Sequence, residues 1–158
     1  LLDILIAADT VALTPNVNLI GDVKDRLELL GAKVLLTHDD TETKANLFAT
    51  IGPDIEGGVV LAGHSDVVPV DPADWTTPPF KADRRDGRVY GRGAADMKGS
   101  IAAMVTARQR FTMRKPSHAG SIAFLITSDE EGLAVAGTRH VLEQLQKLAG
   151  ELRWCVVG

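Results

Sequence analysis

The run Ser121-Ile122-Ala123-Phe124-Leu125-Ile126-Thr127 passes directly into Ser128-Asp129-Glu130-Glu131. Its consecutive apolar residues leave no polar face for water, so a strand built from them is covered on both sides. Such a strand belongs in a layered protein with structure above and below the sheet. Three acids then stand where the strand would end. Their mutual repulsion and the cost of desolvating them make a poor core. Read alone, they are a solvated loop. Two stretches upstream give them another use.

The rest of the chain supplies the layers. Residues 1–9 read as a short helix. Thr14-Pro15 opens a second, with Pro15 in its first turn, Ile20, Val23, Leu27 and Leu30 at helical spacing, and Gly31 as the stop. Strands are expected over 33–37, 45–51 and, introduced by Gly57-Gly58, 59–62, with a turn at His38-Asp39-Asp40-Thr41. The proline-rich stretch 69–79 is loop, and Arg85-Asp86-Gly87-Arg88 is a tight turn before a short strand at Val89-Tyr90. A helix over 97–114 turns Ile101, Met104, Val105 and Phe111 inward. Another over 135–149 buries Val141, Leu145 and Leu148. A last strand over 152–157 carries Cys155 as a core residue. Alternating helices and apolar strands predict an α/β fold with a mixed, largely parallel central sheet flanked by helices. Functional groups in such sheets collect beyond the carboxyl ends of the strands.

At 158 residues the chain is expected to form one domain. Its net charge of −4, with Lys and Arg scattered, argues against a nucleic-acid partner and an anionic membrane surface. No apolar run reaches the roughly 20 residues of a membrane span. The N-terminus lacks a basic leader and a cleavage site, so it is not a signal peptide. Cys155 is the only cysteine, which excludes an intrachain disulfide and fits a cytoplasmic location. The chain starts without Met and stops after an apolar run, so it is expected to be a piece of something longer.

The first upstream stretch is Gly63-His64-Ser65-Asp66-Val67-Val68-Pro69. His64 and Asp66 are two apart at the end of an extended run, so their side chains leave the same face. A carboxylate beside an imidazole can accept its free ring N–H and raise the basicity of the other nitrogen, as behind metal-bound histidines. An isolated His-x-Asp would more simply be a loop histidine. The second stretch is Gly91-Arg92-Gly93-Ala94-Ala95-Asp96-Met97-Lys98-Gly99. Asp96 stands where a dinucleotide loop needs its third glycine, and an acid there would repel a pyrophosphate. A glycine-rich turn that brings Asp96 to a cleft is the better account, its two oxygens free to bridge two cations.

Oxygen and nitrogen donors without thiolates suit zinc, with cobalt or manganese as substitutes. Of two adjacent glutamates, one can bind metal while the other moves a proton between water and a leaving amine. His38, His118 and His140 read as surface histidines. Trp75 and Phe80 read as packing residues near the cleft. Lys98 either positions a substrate carboxylate or faces water at a helix start.

As an ordered set, G-H-S-D-V-V-P, G-R-G-A-A-D-M-K-G and S-D-E-E-G resemble the signature segments of the dinuclear zinc aminoacylase and carboxypeptidase family. Residues 79–158 are most similar to its succinyl-diaminopimelate desuccinylase branch. H-D-D-T-E-T-K-A-N-L-F-A-T-I-G-P is more similar to its acetylornithine deacetylase branch. The resemblance implies a hydrolase with two zinc ions that cleaves the amide bond of a small N-acylated amino acid in amino-acid biosynthesis, from a parent able to form a homodimer. It implies His64 on the first zinc, Asp96 bridging, Glu131 on the second, Glu130 as general base and then acid, and Asp66 orienting His64. It also implies a carboxylate ligand just past Gly158, a histidine ligand far downstream, and a lid or dimerisation domain. Residues 1–158 would then be the N-terminal part of a catalytic domain, binding zinc weakly and turning over little alone. The rival expectations are a non-catalytic metal-binding fragment and a nucleotide-binding α/β protein.

Overall fold

The apolar run Ser121–Thr127 is the central strand of a five-stranded sheet in the computed structural model, which describes residues 1–53, 58–145 and 154–158. In chain order the elements are α1 (Leu2–Ala7), α2 (Val17–Leu29), β1 (Lys33–His38), β2 (Ala45–Ile51), β3 (Gly58–His64), β4 (Asp83–Arg85), β5 (Arg88–Tyr90), α3 (Gly99–Arg114), β6 (Ser121–Thr127), α4 (Thr138–Leu145) and β7 (Trp154–Val157). The large sheet runs β1-β2-β6-β3-β7, and β4 and β5 form a separate hairpin. The β1–β2 and β2–β6 pairings are antiparallel, the β6–β3 and β3–β7 pairings parallel. The sheet is therefore mixed, with its parallel half at the site-bearing strands.

Both faces of β6 are covered, as its composition requires. Phe124 and Ile126 pack with Leu5 of α1, Leu19, Ile20, Val23 and Leu27 of α2, and Ile101 and Val105 of α3. Ala123 and Leu125, pointing the other way, meet Phe48, Val60 and, on α4, Val141 and Leu145. The alternation is the strand's two-residue period read out as two cores. Each large side chain in them contributes roughly 1.5–3 kcal/mol of burial.

Register places the functional edge. His64, the last residue of β3, lies opposite Thr127, the last of β6, so both strands end together. β2 runs the other way, with Leu47 opposite Ile126, which brings Asn46 near its start to the same edge.

Several local expectations change. Pro15 lies ahead of α2, whose N-terminal boundary residue is Asn16. The short charged strand β4, which has no apolar alternation to announce it, pairs with β5 through Asp86 and Gly87, both at positive φ (52° and 72°). Helix α3 begins at Gly99 rather than at 97, since Asp96 and Met97 have non-helical backbone angles. Arg108 (3 % exposed) takes the inward place expected of Phe111, which is 38 % exposed. Cys155 is exposed, as is all of β7, because that strand lies at the sheet edge. Residues 135–137 belong to the loop ahead of α4. Gly57, Leu148 and Leu152 lie outside the described residues. Among the described residues, no helix is long and apolar enough to cross a membrane.

Candidate metal centre

His64 reaches the edge at the end of β3 with its ring held between two kinds of partner. Nδ1 lies 3.0 Å from the Asp66 carbonyl oxygen and 3.5 Å from Asp66 Oδ1. With the ring proton on that side, the chief acceptor is the main-chain carbonyl, and the carboxylate stands just behind it. Nε2 faces outward, 3.1 Å from Asp96 Oδ1 and 3.9 Å from Glu130 Oε2. Burial opposes charging the ring, but the Asp66 carboxylate and carbonyl, with Asp96, outweigh it and raise the His64 pKa to about 9.

Asp66 is fully buried and works in two directions. Its Oδ2 accepts the main-chain N–H of Glu131 at 2.9 Å. Burial favours its neutral form, yet His64 and the Glu131 and Glu130 amides hold the carboxyl below the usual range. Among the described residues Oδ1 has no hydrogen-bond partner, and it lies 3.5 Å from His64 Nδ1.

Asp96 is delivered by the glycine-rich turn. Gly93 has φ +75°, and a Cβ there would come within 2.6 Å of Val67 Cγ1, so the close approach excludes side chains. The following residues make a single wide turn in which Asp96 is extended and the Asp96–Met97 peptide is cis. The Asp96 side chain is 76 % exposed and points at the imidazole. Lys98 neither faces water nor reaches the cleft. It is fully buried, donates from Nζ to the Ala8 carbonyl at 2.8 Å, and burial lowers its pKa to about 8 against the pull of Asp9 and Asp66.

Glu130 and Glu131 follow β6 in the loop before α4. His64, Glu130 and Glu131 each offer a ligand atom, all within 4.8 Å of one another. Burial pushes the Glu131 carboxyl up, as do the Asp96, Glu130 and Asp66 carboxylates, while His64 pulls it down. Among the described residues, the Asp96, Glu130 and Glu131 carboxylates gather around the single His64 imidazole, more negative charge than one ring can offset. An oxygen-rich donor set without thiolate fits zinc, manganese or cobalt. His38 is exposed, His118 and His140 are half-buried, and none belongs to this group. Trp75 takes the Arg92 guanidinium over its ring at 5.2 Å.

Sequence reasoning missed the residues beneath this edge. Asn46 is 1 % exposed, yet it sits in the apolar strand Ala45–Ile51, where an amide among apolar neighbours was the available signal. Asp129 is 8 % exposed at φ 64°, a conformation that Asp tolerates better than most residues. Lys44 is buried, bonds the Ala12 carbonyl and has its pKa lowered by burial. Nothing in its sequence context marks it.

An imidazole and several carboxylates beyond the ends of parallel strands, in a helix-covered mixed sheet, define a candidate metal centre of the metallopeptidase type. The chain belongs to peptidase family M20/M25/M40, whose sequence profile matches residues 60–158. It is 51 % identical over 126 residues to a succinyl-diaminopimelate desuccinylase of Pseudoalteromonas atlantica, covering 78 % of this chain and 32 % of that protein. It is 55 % identical over 115 residues to one from Acinetobacter baumannii, covering 72 % and 30 %. The chain thus spans about a third of the length of the curated relatives it matches. Among solved structures, human carnosine dipeptidase 1 superposes with a TM-score of 0.84 at 26 % identity, covering 98 % of this chain and 36 % of that one. An M20 family metallo-carboxypeptidase, Sso-CP2 of Sulfolobus solfataricus, shares the fold with a TM-score of 0.78 at 22 % identity, covering 99 % and 36 %.

Proposed function

We propose that this chain is the part of a catalytic domain that supplies His64, Asp96 and Glu131 to a pair of zinc ions, in a hydrolase that cleaves N-acylated amino acids. The observation that carries the proposal is the approach of His64 Nε2 to Asp96 at 3.1 Å and Glu130 at 3.9 Å, with Glu131 in the same group. Bound zinc supplies a Lewis acid and lowers the pKa of its water to about 7. The chain's own residues do the rest. Asp66 accepts on the Nδ1 side of His64, so the Nε2 lone pair stays available and aimed. Asp96, whose side chain is 76 % exposed beside His64, would help hold both ions. Glu130 is exposed at the rim, where it can take a proton from water and return it to the departing amine.

Identity of 51–55 % to the desuccinylases supports succinyl-diaminopimelate as the substrate and lysine and diaminopimelate biosynthesis as the setting. A cytoplasmic enzyme, able to dimerise through parts beyond these residues, belongs to the same reading. The test is a zinc-supplemented hydrolysis screen of N-succinyl and N-acetyl amino acids on the full-length protein. Highest kcat/KM on succinyl-diaminopimelate is expected. A preference for acetylornithine moves the protein to the deacetylase branch, and no amide hydrolysis at all refutes the proposal.

A further inference from the structure

The loop from Ser128 to Ala136 carries both glutamates, and a side chain from another strand holds its two ends. Asn46 Oδ1 accepts the Ser128 N–H at 2.8 Å and the Ser128 hydroxyl at 3.1 Å. Asn46 Nδ2 donates to the Ala136 carbonyl at 2.8 Å and to Thr37 Oγ1 at 3.3 Å. An Asn side chain has two donor hydrogens and two acceptor lone pairs, and here all four are engaged. Within the loop, Asp129 Oδ1 accepts from the Leu133 amide at 2.9 Å. Its Oδ2 accepts from Val135 at 2.9 Å and Ala136 at 3.0 Å. The closure leaves no spare room: a Cβ on Gly137 would collide with the Ser128 carbonyl, and one on Gly132 with Asp129 Oδ1.

We propose that Asn46 is a positioning residue. By fixing Ser128 and Ala136 against the start of β2, it sets where the Glu130 and Glu131 carboxylates stand relative to His64. The inference rests on the metal-centre reading and deepens it, because it assigns a control over metal affinity to a residue that touches no ligand atom. Two substitutions divide the clamp. Asn46→Leu keeps the branched shape and removes both ends. Asn46→Asp keeps the acceptor for Ser128 and sets a carboxylate against the Ala136 carbonyl. Outer residues that orient metal ligands change affinity by about 10–100-fold when replaced.

The experiment is a competitive zinc titration against a chromophoric chelator on the full-length protein and both variants, with metal-free melting curves recorded alongside. The expected result is a zinc Kd weakened about 10–100-fold in Asn46→Leu and by an intermediate factor in Asn46→Asp. A merely structural Asn46 would lower the melting temperature and leave the Kd of the folded protein within twofold, which overturns the proposal. So would the failure of both variants to fold, since Asn46 would then serve the fold rather than the site. Absence of zinc binding by the unsubstituted protein overturns the metal-centre reading itself, and the two failures are thereby distinct.

Discussion

The main-chain N–H of Glu131 is bonded to Asp66 Oδ2 at 2.9 Å, across 65 residues of sequence. One buried carboxylate thus ties the glutamate loop to the strand that carries His64, whose Nδ1 lies against the same residue. Two halves of the site share a hinge point.

Asp66→Ala removes the shared carboxylate but keeps the main-chain carbonyl against His64 Nδ1. It leaves the Glu131 amide without its acceptor, at a cost of about 1–3 kcal/mol, and takes the carboxylate from behind the imidazole. Urea unfolding should register that loss, and zinc affinity should fall about 10–100-fold. A variant with unchanged affinity would reduce Asp66 to a packing role.

Phe124 is fully buried at the centre of β6, facing all three helices of one layer. Phe124→Ala should cost about 3–5 kcal/mol, the usual range for emptying an aromatic site in a core. The check is the urea midpoint at constant m-value. A shift worth under about 1 kcal/mol would mean that the core collapses into the space.

What the sequence disclosed depends on whether a local pattern carried the information. Strand β6 was legible because an apolar run without polar alternation needs cover on both faces, and the grouping of His64, Asp96 and Glu130 was expected because each falls at or just after an expected strand end. Phe111 was misassigned by assuming that apolar means inward. It falls ten residues after Ile101, about 80° round the helix, whereas Arg108 falls within about 20° of Ile101's direction. Cys155 was misplaced because residue type does not say which strand forms the edge. Asn46 and Asp129 escaped notice for another reason. Their partners are main-chain groups of a loop whose course no residue pattern announces. The Asp66 carboxylate was expected to take the ring proton, but strand-end geometry presents the carbonyl first.

Asp39 governs the turn between β1 and β2. Its Oδ2 accepts from the Thr41 hydroxyl at 2.6 Å and its Oδ1 from the Lys44 amide at 2.9 Å. Slight burial opposes ionisation, but these donors outweigh it and hold the carboxyl below its ordinary 3.8. A depressed folded pKa gives stability that is present above the unfolded value and lost as pH falls through the folded one. Asp39→Asn should therefore be less stable than the parent at pH 7, by no more than about 1 kcal/mol because the side chain is partly solvated. The gap should close as pH falls below about 4. Urea titrations at neutral and acid pH measure it, and a gap that widens in acid contradicts the assignment.

Glu130 and Glu131 are adjacent, and the geometry lets either ligate, since both offer an oxygen within 4.8 Å of the other ligand atoms. Their surroundings separate them. Glu131 is partly buried, with its amide fixed to Asp66 and its carboxyl raised by burial and neighbouring charge, so a cation relieves it most. Glu130 is 58 % exposed at the side chain, on the His64 Nε2 side, and is open to water. In the full-length protein, Glu130→Gln should keep its zinc and lose about 10²–10⁴ in kcat, the range for removing a general base. Glu131→Gln should lose zinc and activity together. Elemental analysis beside steady-state kinetics reads both, and loss of metal from Glu130→Gln would make Glu130 the ligand and exchange the two roles.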